Sequence, residues 1–388
     1  MANRRVYLDY NATTPLSNEV KSQMIADLEI YGNASSMHED GRNARVRIEE
    51  ARHNVAALIG ANANNIVWTS GGSESNNTVF ASMRELAAKD GRNEFITTTI
   101  EHPCVLNSAA HLKSLGYKVH FIGVDSNGKL DMDAFKAALS ERVLLVSVMM
   151  ANNELGVIED IAEISKLAKN AGALVHSDAV QAAGKIQVDV NKLGVDYLTL
   201  SCHKIYGPKG VGALYHKNKA PLLPLIHGGH QEDGIRAGTY NNLGILGFGK
   251  AAELALKGLE EYQTKLRALR QRLCDGITSK IPNIKINGHT KDVLPNTLNV
   301  SFPGAEGEAI LLSLDLEGIA VSTGSACASG SLDPSHVLMA IGVGPELAHS
   351  SIRFSMGLGT TELDIDYVLE KLPPIIARLR AMSSVTGK

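Results

Sequence analysis

The 388-residue chain has no uncharged apolar stretch of 18 residues, so it offers no segment able to span a bilayer as a helix. It also lacks an excess of either charge. Its 38 basic residues face 41 acidic ones, net −3, without the concentration of Lys and Arg that nucleic-acid binding requires. Cysteine is scarce: Cys104, Cys202, Cys274 and Cys327 stand at wide spacings that make neither a disulfide framework nor a CxxC pair. The 13 histidines show no HExxH or paired-ligand spacing, so no resident metal is expected. The opening MANRRVYLDYNATT turns polar before the apolar core of a signal peptide forms. These shortages point to a cytoplasmic globular enzyme. Its 44% apolar content is enough for a sizeable core, and its length suits two or three structural units at ~100–200 residues each.

What is present is alternation. Short β-rich runs (NIVWTS, EFITTTI, YKVHFIGV, VLLVSVMM, ALVHSDAV, DYLTLS and GVGALYHK) are separated by amphipathic stretches. In DIAEISKLAKNAG, for example, Ile161, Ile164, Leu167 and Ala168 share one helical face. This pattern predicts an α/β fold with a mostly parallel, seven-stranded sheet flanked by helices. Ligands of such sheets bind beyond the carboxyl ends of the strands. From Asn242 to Lys280 the text predicts one long helical segment. After Pro282, shorter strands (NTLNVSF, SSIRFSM) mix with helices, as in a smaller α+β unit with its boundary near residue 255.

The residues that follow the strands carry the chemistry. In SCHKIYGPKG, Lys204 is either a surface lysine or a rigidly placed amine able to form a Schiff base, with Ser201 and His203 beside it. In HSDAVQAAG, Asp178 is either a turn residue or a carboxylate paired to a pyridinium nitrogen. Gln181, three positions on, is near enough to reach the cofactor's phenolate oxygen. WTSGGSESNN places Gly72 and Ser73 at a helix N-terminus, read as a phosphate site or as a plain cap. His102 of TTTIEHPCV would stack on a ring or move protons, although a lone histidine also serves as an ordinary hydrogen-bonder. Asn153 follows another strand as a donor. Cys104, Cys202 and Cys274 read as packing. Cys327, in GSACASGSLDP, has almost no bulky neighbours and reads as a reactive thiol on a loop that must travel. Arg353 in HSSIRFSMG is either a surface arginine or a fork for a substrate carboxylate.

Together and in this order, these motifs resemble the cysteine desulfurases of the IscS/NifS kind, within the class V aminotransferase superfamily of fold-type I enzymes that use pyridoxal 5'-phosphate (PLP). The resemblance runs from YLDYNATTP through GNASS, TSGGSESNN, EHPCVL, NNELG, HSDAVQ, SCHKIYGPKG, RAGT and GSACASG to ELAHSSIRFSMG. It implies a large PLP-binding domain over residues 15–255 and a small α+β domain from 1–14 and 256–388. Lys204 would be the Schiff-base lysine, and Asp178 would pair the ring nitrogen. Gln181 and Asn153 would flank the ring oxygen, while His102 would stack on the ring and transfer protons. Gly72, Ser73, Ser201 and His203 would hold the phosphate, with Thr239 reaching across from the second subunit of a homodimer. Arg353 and Asn153 would bind the carboxylate of L-cysteine. Cys327 would take the sulfur as a persulfide for an iron–sulfur scaffold or another acceptor protein, at most ligating a nascent cluster in passing. Neither nucleic acid nor membrane is an expected partner. Asp233 departs from the family's usual text by reversing a charge near the expected subunit interface. Rival readings are a selenocysteine lyase or other class V PLP enzyme, and a non-catalytic scaffold partner.

Overall fold

The computed structural model describes residues 4–323 and 333–383. All seven runs become strands of one sheet: Ile66–Thr69, Glu94–Thr98, Lys118–Ile122, Val143–Ser147, Leu174–Asp178, Tyr197–Ser201 and Gly212–His216. Across the sheet they lie in the order 66–69, 212–216, 197–201, 174–178, 143–147, 94–98, 118–122. The pairings from 197–201 to 118–122 are parallel, whereas 212–216 is antiparallel to both neighbours. Strand 66–69, antiparallel to an antiparallel strand, therefore runs with the majority.

Val143–Ser147 is buried at every position, as a strand covered by helices on both faces must be. Helix Ile161–Asn170 supplies part of that cover. Asp160 caps it by accepting the Glu163 N–H at 3.1 Å, and Ile161, Ile164 and Ala168 form its buried stripe. Each large aliphatic side chain so buried stabilises by roughly 1.5–3 kcal/mol.

A second sheet is antiparallel: Lys285–Asn287, Thr297–Ser301 and Ser351–Ser355, with 297–301 in the centre. Leu298, Val300, Ile352 and Phe354 from this sheet form a separate apolar cluster with Leu266 and Leu273 of helix Leu259–Lys280 and Ile365 and Leu372 of helix Glu362–Met382. Val6 and Leu8 join the same cluster. Strand Val6–Tyr7 pairs in parallel with Ile319–Ala320, a short ladder that the sequence reading did not find.

The single helical segment expected over 242–280 is two helices, Asn242–Lys257 and Leu259–Lys280, separated at Gly258. The reason is that they serve different cores. Ile245, Leu246, Phe248 and Ala252 face the large-sheet cluster, whereas Leu266, Leu269 and Leu273 face the second one. Leu256, counted among the apolar positions, is 43% exposed at the break. Helix Glu362–Met382 instead runs through Pro373 and Pro374 unbroken. Pro373 cannot donate to the Leu369 carbonyl, and Lys280 Nζ donates to that carbonyl at 3.2 Å instead. Among the described residues no helix is long and apolar enough to cross a membrane.

Candidate active site

The carboxyl ends of the like-directed strands converge on a cavity of about 300 Å³. Strand 66–69 delivers Gly72 and Ser73, and 94–98 delivers His102. Strand 143–147 leads to Asn153, 174–178 ends on Asp178 and leads to Gln181, and 197–201 delivers Ser201, His203 and Lys204. All of these line the cavity, and Arg353 enters from the second sheet.

The turn after strand 66–69 is made for a close approach. Gly71 adopts φ 157, ψ −179, a conformation essentially confined to glycine, and offers no side-chain cap to helix Gly72–Asp90. A Cβ on Gly72 would lie 2.9 Å from Val180 Cγ2. The first backbone N–H groups thus face the cavity without a competing side-chain cap, which suits an anion. Ser201 and His203 lie on the same cavity. His203 Nδ1 sits 3.1 Å from Thr13 Oγ1, and burial, with Lys204, Lys209 and Lys185 adding, pushes its imidazole down to about 4. The neutral ring can accept as well as donate.

Asp178 is 6% exposed. Its Oδ2 accepts from Asn76 Nδ2 at 2.7 Å, and its Oδ1 accepts from the Val180 N–H at 2.9 Å. Gln181 Nε2 donates to Asn11 O at 2.9 Å, and its Oε1 accepts from Lys185 Nζ at 2.6 Å. Lys185 is 2% exposed and also donates to Asn11 Oδ1 at 2.9 Å. Burial holds its ammonium well below the ordinary lysine range, and the positive charges of Lys204 and Arg353 press the same way. Lys204 Nζ donates to Asn11 O and Ala12 O at 2.6 and 2.7 Å. His102 caps helix Pro103–Ser114, with its Nδ1 accepting the Cys104 N–H at 3.2 Å. Burial keeps its imidazole below the usual value, Lys204 and His336 adding to that and Asp178 opposing it.

Arg353 is 2% exposed. It donates to Asn153 O at 3.1 Å and to Asp9 Oδ1 at 2.8 Å, while its Nε has no partner among the described residues. A buried guanidinium with an unmet donor beside a cavity is a carboxylate receptor in waiting. Thr239 is exposed and does not line this cavity. Cys327 lies outside the described residues.

Sequence reasoning missed several lining residues. Asn11 and Ala12 stood in a quoted motif without a role. Asn76 follows Gly72 by four residues, one helical turn, a spacing that could have flagged it. Cys104, taken as packing, is half-buried and lines the cavity. Cys202 is fully buried, as expected of packing. Behind His102, burial pushes the fully buried Glu101 carboxyl up to about 8. Its Oε1 accepts from the Met149 N–H at 2.7 Å.

The aminotransferase class-V model matches residues 6–368. The chain belongs to the class-V aminotransferase family. Cysteine desulfurase IscS of Dictyoglomus turgidum is 49% identical over 381 residues, spanning 98% of this chain and 96% of that protein. A NifS-like protein of known structure matches with TM-score 0.91 at 39% identity, covering 97% of this chain and 100% of that one. A structure of SspA in complex with cysteine matches with TM-score 0.81 at 33% identity, covering 91% and 99%. Within the class-V family this chain falls among the PLP-dependent cysteine desulfurases. The cavity fits that cofactor. An uncapped helix start with a Cβ-free wall suits its phosphate, the buried Asp178 its ring nitrogen, Lys204 its aldehyde, and the donors of Gln181 and Asn153 its ring oxygen.

Proposed function

We propose that the chain takes sulfur from L-cysteine, releases L-alanine and carries the sulfur on Cys327 as a persulfide. Bound PLP supplies the electron sink for charge left on the substrate's α-carbon. Asp178, fixed from both oxygens, keeps a proton on the ring nitrogen. Arg353, which lines the cavity and is braced by Asp9, grips the substrate carboxylate. His102 carries protons at the cavity edge. The Cys327 thiolate attacks the substrate sulfur; an S–S bond forms as the C–S bond breaks, and the electron pair left on carbon takes a proton. L-Cysteine plus the Cys327 thiol thus become L-alanine plus the Cys327 persulfide. The observation that carries the reading is the meeting, on one cavity, of Lys204 and Asp178 from the large sheet with Arg353 from the other.

The rest of the proposal concerns the setting. The chain divides near residue 255 into a large unit and a small one. It works as a homodimer in which Thr239 reaches the partner subunit's phosphate site, in the cytoplasm, where thiols stay reduced. An iron–sulfur scaffold or another sulfur-accepting protein takes the persulfide.

The test is alanine release from L-cysteine, with a thiol reductant present, by the PLP-loaded protein and its Cys327→Ala variant. Alanine from the first and none from the second is the expected result. Equal release would make Cys327 dispensable and the protein a lyase. No release from either, with PLP bound, would sink the desulfurase reading and turn attention to selenocysteine.

A further inference from the structure

Four side chains that line the cavity form a continuous chain of hydrogen bonds; Asn76 was unremarked in the sequence and Cys104 was read there as packing. Asn76 is fully buried, and its amide nitrogen donates to Asp178 Oδ2 at 2.7 Å and to Cys104 Sγ at 3.1 Å. The carboxylate decides which way the amide faces, because turning it over would set the Asn76 oxygen against Asp178. Both amide hydrogens are therefore engaged, and the Cys104 sulfur is an acceptor toward Asn76. On its other side Sγ lies 3.0 Å from His102 Nδ1, and the Cys104 backbone N–H donates to that same nitrogen at 3.2 Å. A ring nitrogen that accepts a backbone N–H carries no proton of its own. The hydrogen between sulfur and Nδ1 thus belongs to the thiol, and the ring's proton sits on Nε2.

We propose that Cys104 is a positioning residue: its thiol, oriented by Asn76 and Asp178, donates to Nδ1 beside the backbone N–H that sets the tautomer, and so holds His102 as the neutral imidazole. The inference rests on the reading above in one respect, that His102 carries protons in the reaction. Its addition is the form in which His102 waits, as a donor at Nε2 with Nδ1 blocked by two donors from one residue. Burial favours this neutral pair over a thiolate–imidazolium pair, since it pushes the Cys104 thiol up to about 11 and the His102 imidazole down. The other groups facing His102 are Asp178, which favours its charged form, and Lys204 and His336, which oppose it. His336 Nε2 lies 3.0 Å from the Glu101 carbonyl oxygen. A cysteine that merely filled space would have no reason to set its sulfur 3.0 Å from His102 Nδ1.

The experiment uses the PLP-loaded, full-length protein labelled with 15N-histidine, with His102 assigned by its loss in His102→Gln. In the wild type, the ring nitrogens should report a single Nε2–H tautomer between about pH 6 and 8, around the ordinary histidine value. Cys104→Ala leaves the backbone N–H on Nδ1, so the Nε2–H tautomer should persist while the His102 pKa, read from the same ring nitrogens, rises by about half to one unit. It should also move the acid limb of the kcat profile upward by about half to one pH unit, because a donor that stabilised the neutral ring is gone. kcat should fall roughly 3- to 10-fold with KM little changed. Cys104→Ser, which restores a hydroxyl donor, should recover the wild-type acid limb and most of kcat. If Cys104→Ala keeps the wild-type His102 pKa and the wild-type acid limb, the inference is overturned, even if activity drops. If His102→Gln stays fully active while the His102 pKa follows residue 104, the proton-carrying role assigned to His102 fails and the inference about Cys104 stands.

Discussion

The cavity has two walls built by different means. On the large-sheet wall, Asp178, Ser201, His203 and Lys204 each lie at or just after a strand end, so a few consecutive residues and a strand direction place each of them. On the opposite wall Arg353 lies in the middle of strand Ser351–Ser355. Its partners are Asp9, 344 residues away in sequence, and the carbonyl of Asn153, 200 away. Asn11 links the two walls: its backbone oxygen accepts from Lys204 and Gln181, while its side chain reaches Thr297 Oγ1 at 2.9 Å and Asn153 O at 3.0 Å. A wall of local turns keeps its shape when one residue changes, so a substitution there removes that residue's chemistry alone. A wall of long-range polar contacts fails when any partner leaves a buried charge unmet.

The largest expected effect lies on the first wall. Lys204→Ala should lower alanine formation by on the order of 10³-fold or more. The cofactor's visible absorbance should also be lost on dialysis. An enzyme that keeps a tenth of its rate would show that the strand-end lysine does not anchor the cofactor. Arg353→Lys comes next. It preserves the charge but loses the fork, so kcat/KM for L-cysteine should drop roughly 30-fold, mostly through KM. Bound-cofactor absorbance should stay as in the wild type; a shift there instead would mean that the two walls are one unit rather than two.

The smallest effect concerns stability at Glu154, in the loop after strand 143–147, where it meets Ser335. Burial pushes the Glu154 carboxyl up to about 7, against the opposing pull of Ser335, whose hydroxyl donates to Oε2, and of Arg353. An unfolded glutamate titrates near ~4.3. The folded state therefore binds the extra proton between those values, and stability falls as pH rises from about 4 through 7. Glu154→Gln should raise the Tm at pH 8, by a gain on the order of 1–3 kcal/mol, and show no gain at pH 4. Thermal melts at the two pH values decide it. An equal gain at both would mean that the effect is packing rather than ionisation.

The same contrast explains what was legible beforehand. The seven strands and the residues after them could be read because periodicity and turn chemistry are local properties, and a parallel sheet gathers its strand ends along one edge. Asn11 and Lys185 escaped notice because nothing in their local sequence marks them, and Asn76 had only its one-turn spacing from Gly72 to mark it. Their importance comes from what lies 2.6 to 3.1 Å away in the fold. Cys104 was misread for the same reason: free cysteines are usually packing, and only the folded chain sets its sulfur 3.0 Å from His102 Nδ1. The helical text from 242 to 280 hid a break because both halves share one period, whereas the two cores they bury against are tertiary facts.

By itself, then, the sequence determined the strand and helix types, the order of the sheet-forming runs, the strand-end residues of the cavity and, through its motifs, the family. These depend on side-chain period, turn residues and spacing along the chain, which are carried by neighbours. The tertiary structure alone decided that Arg353 faces Lys204 across one cavity, that Asn11 bridges the two walls, and that Asp178, Asn76, Cys104 and His102 form one line of hydrogen bonds. Those relations join residues from distant parts of the chain, and hydrogen-bond partnership depends on distance and direction in space rather than on sequence separation.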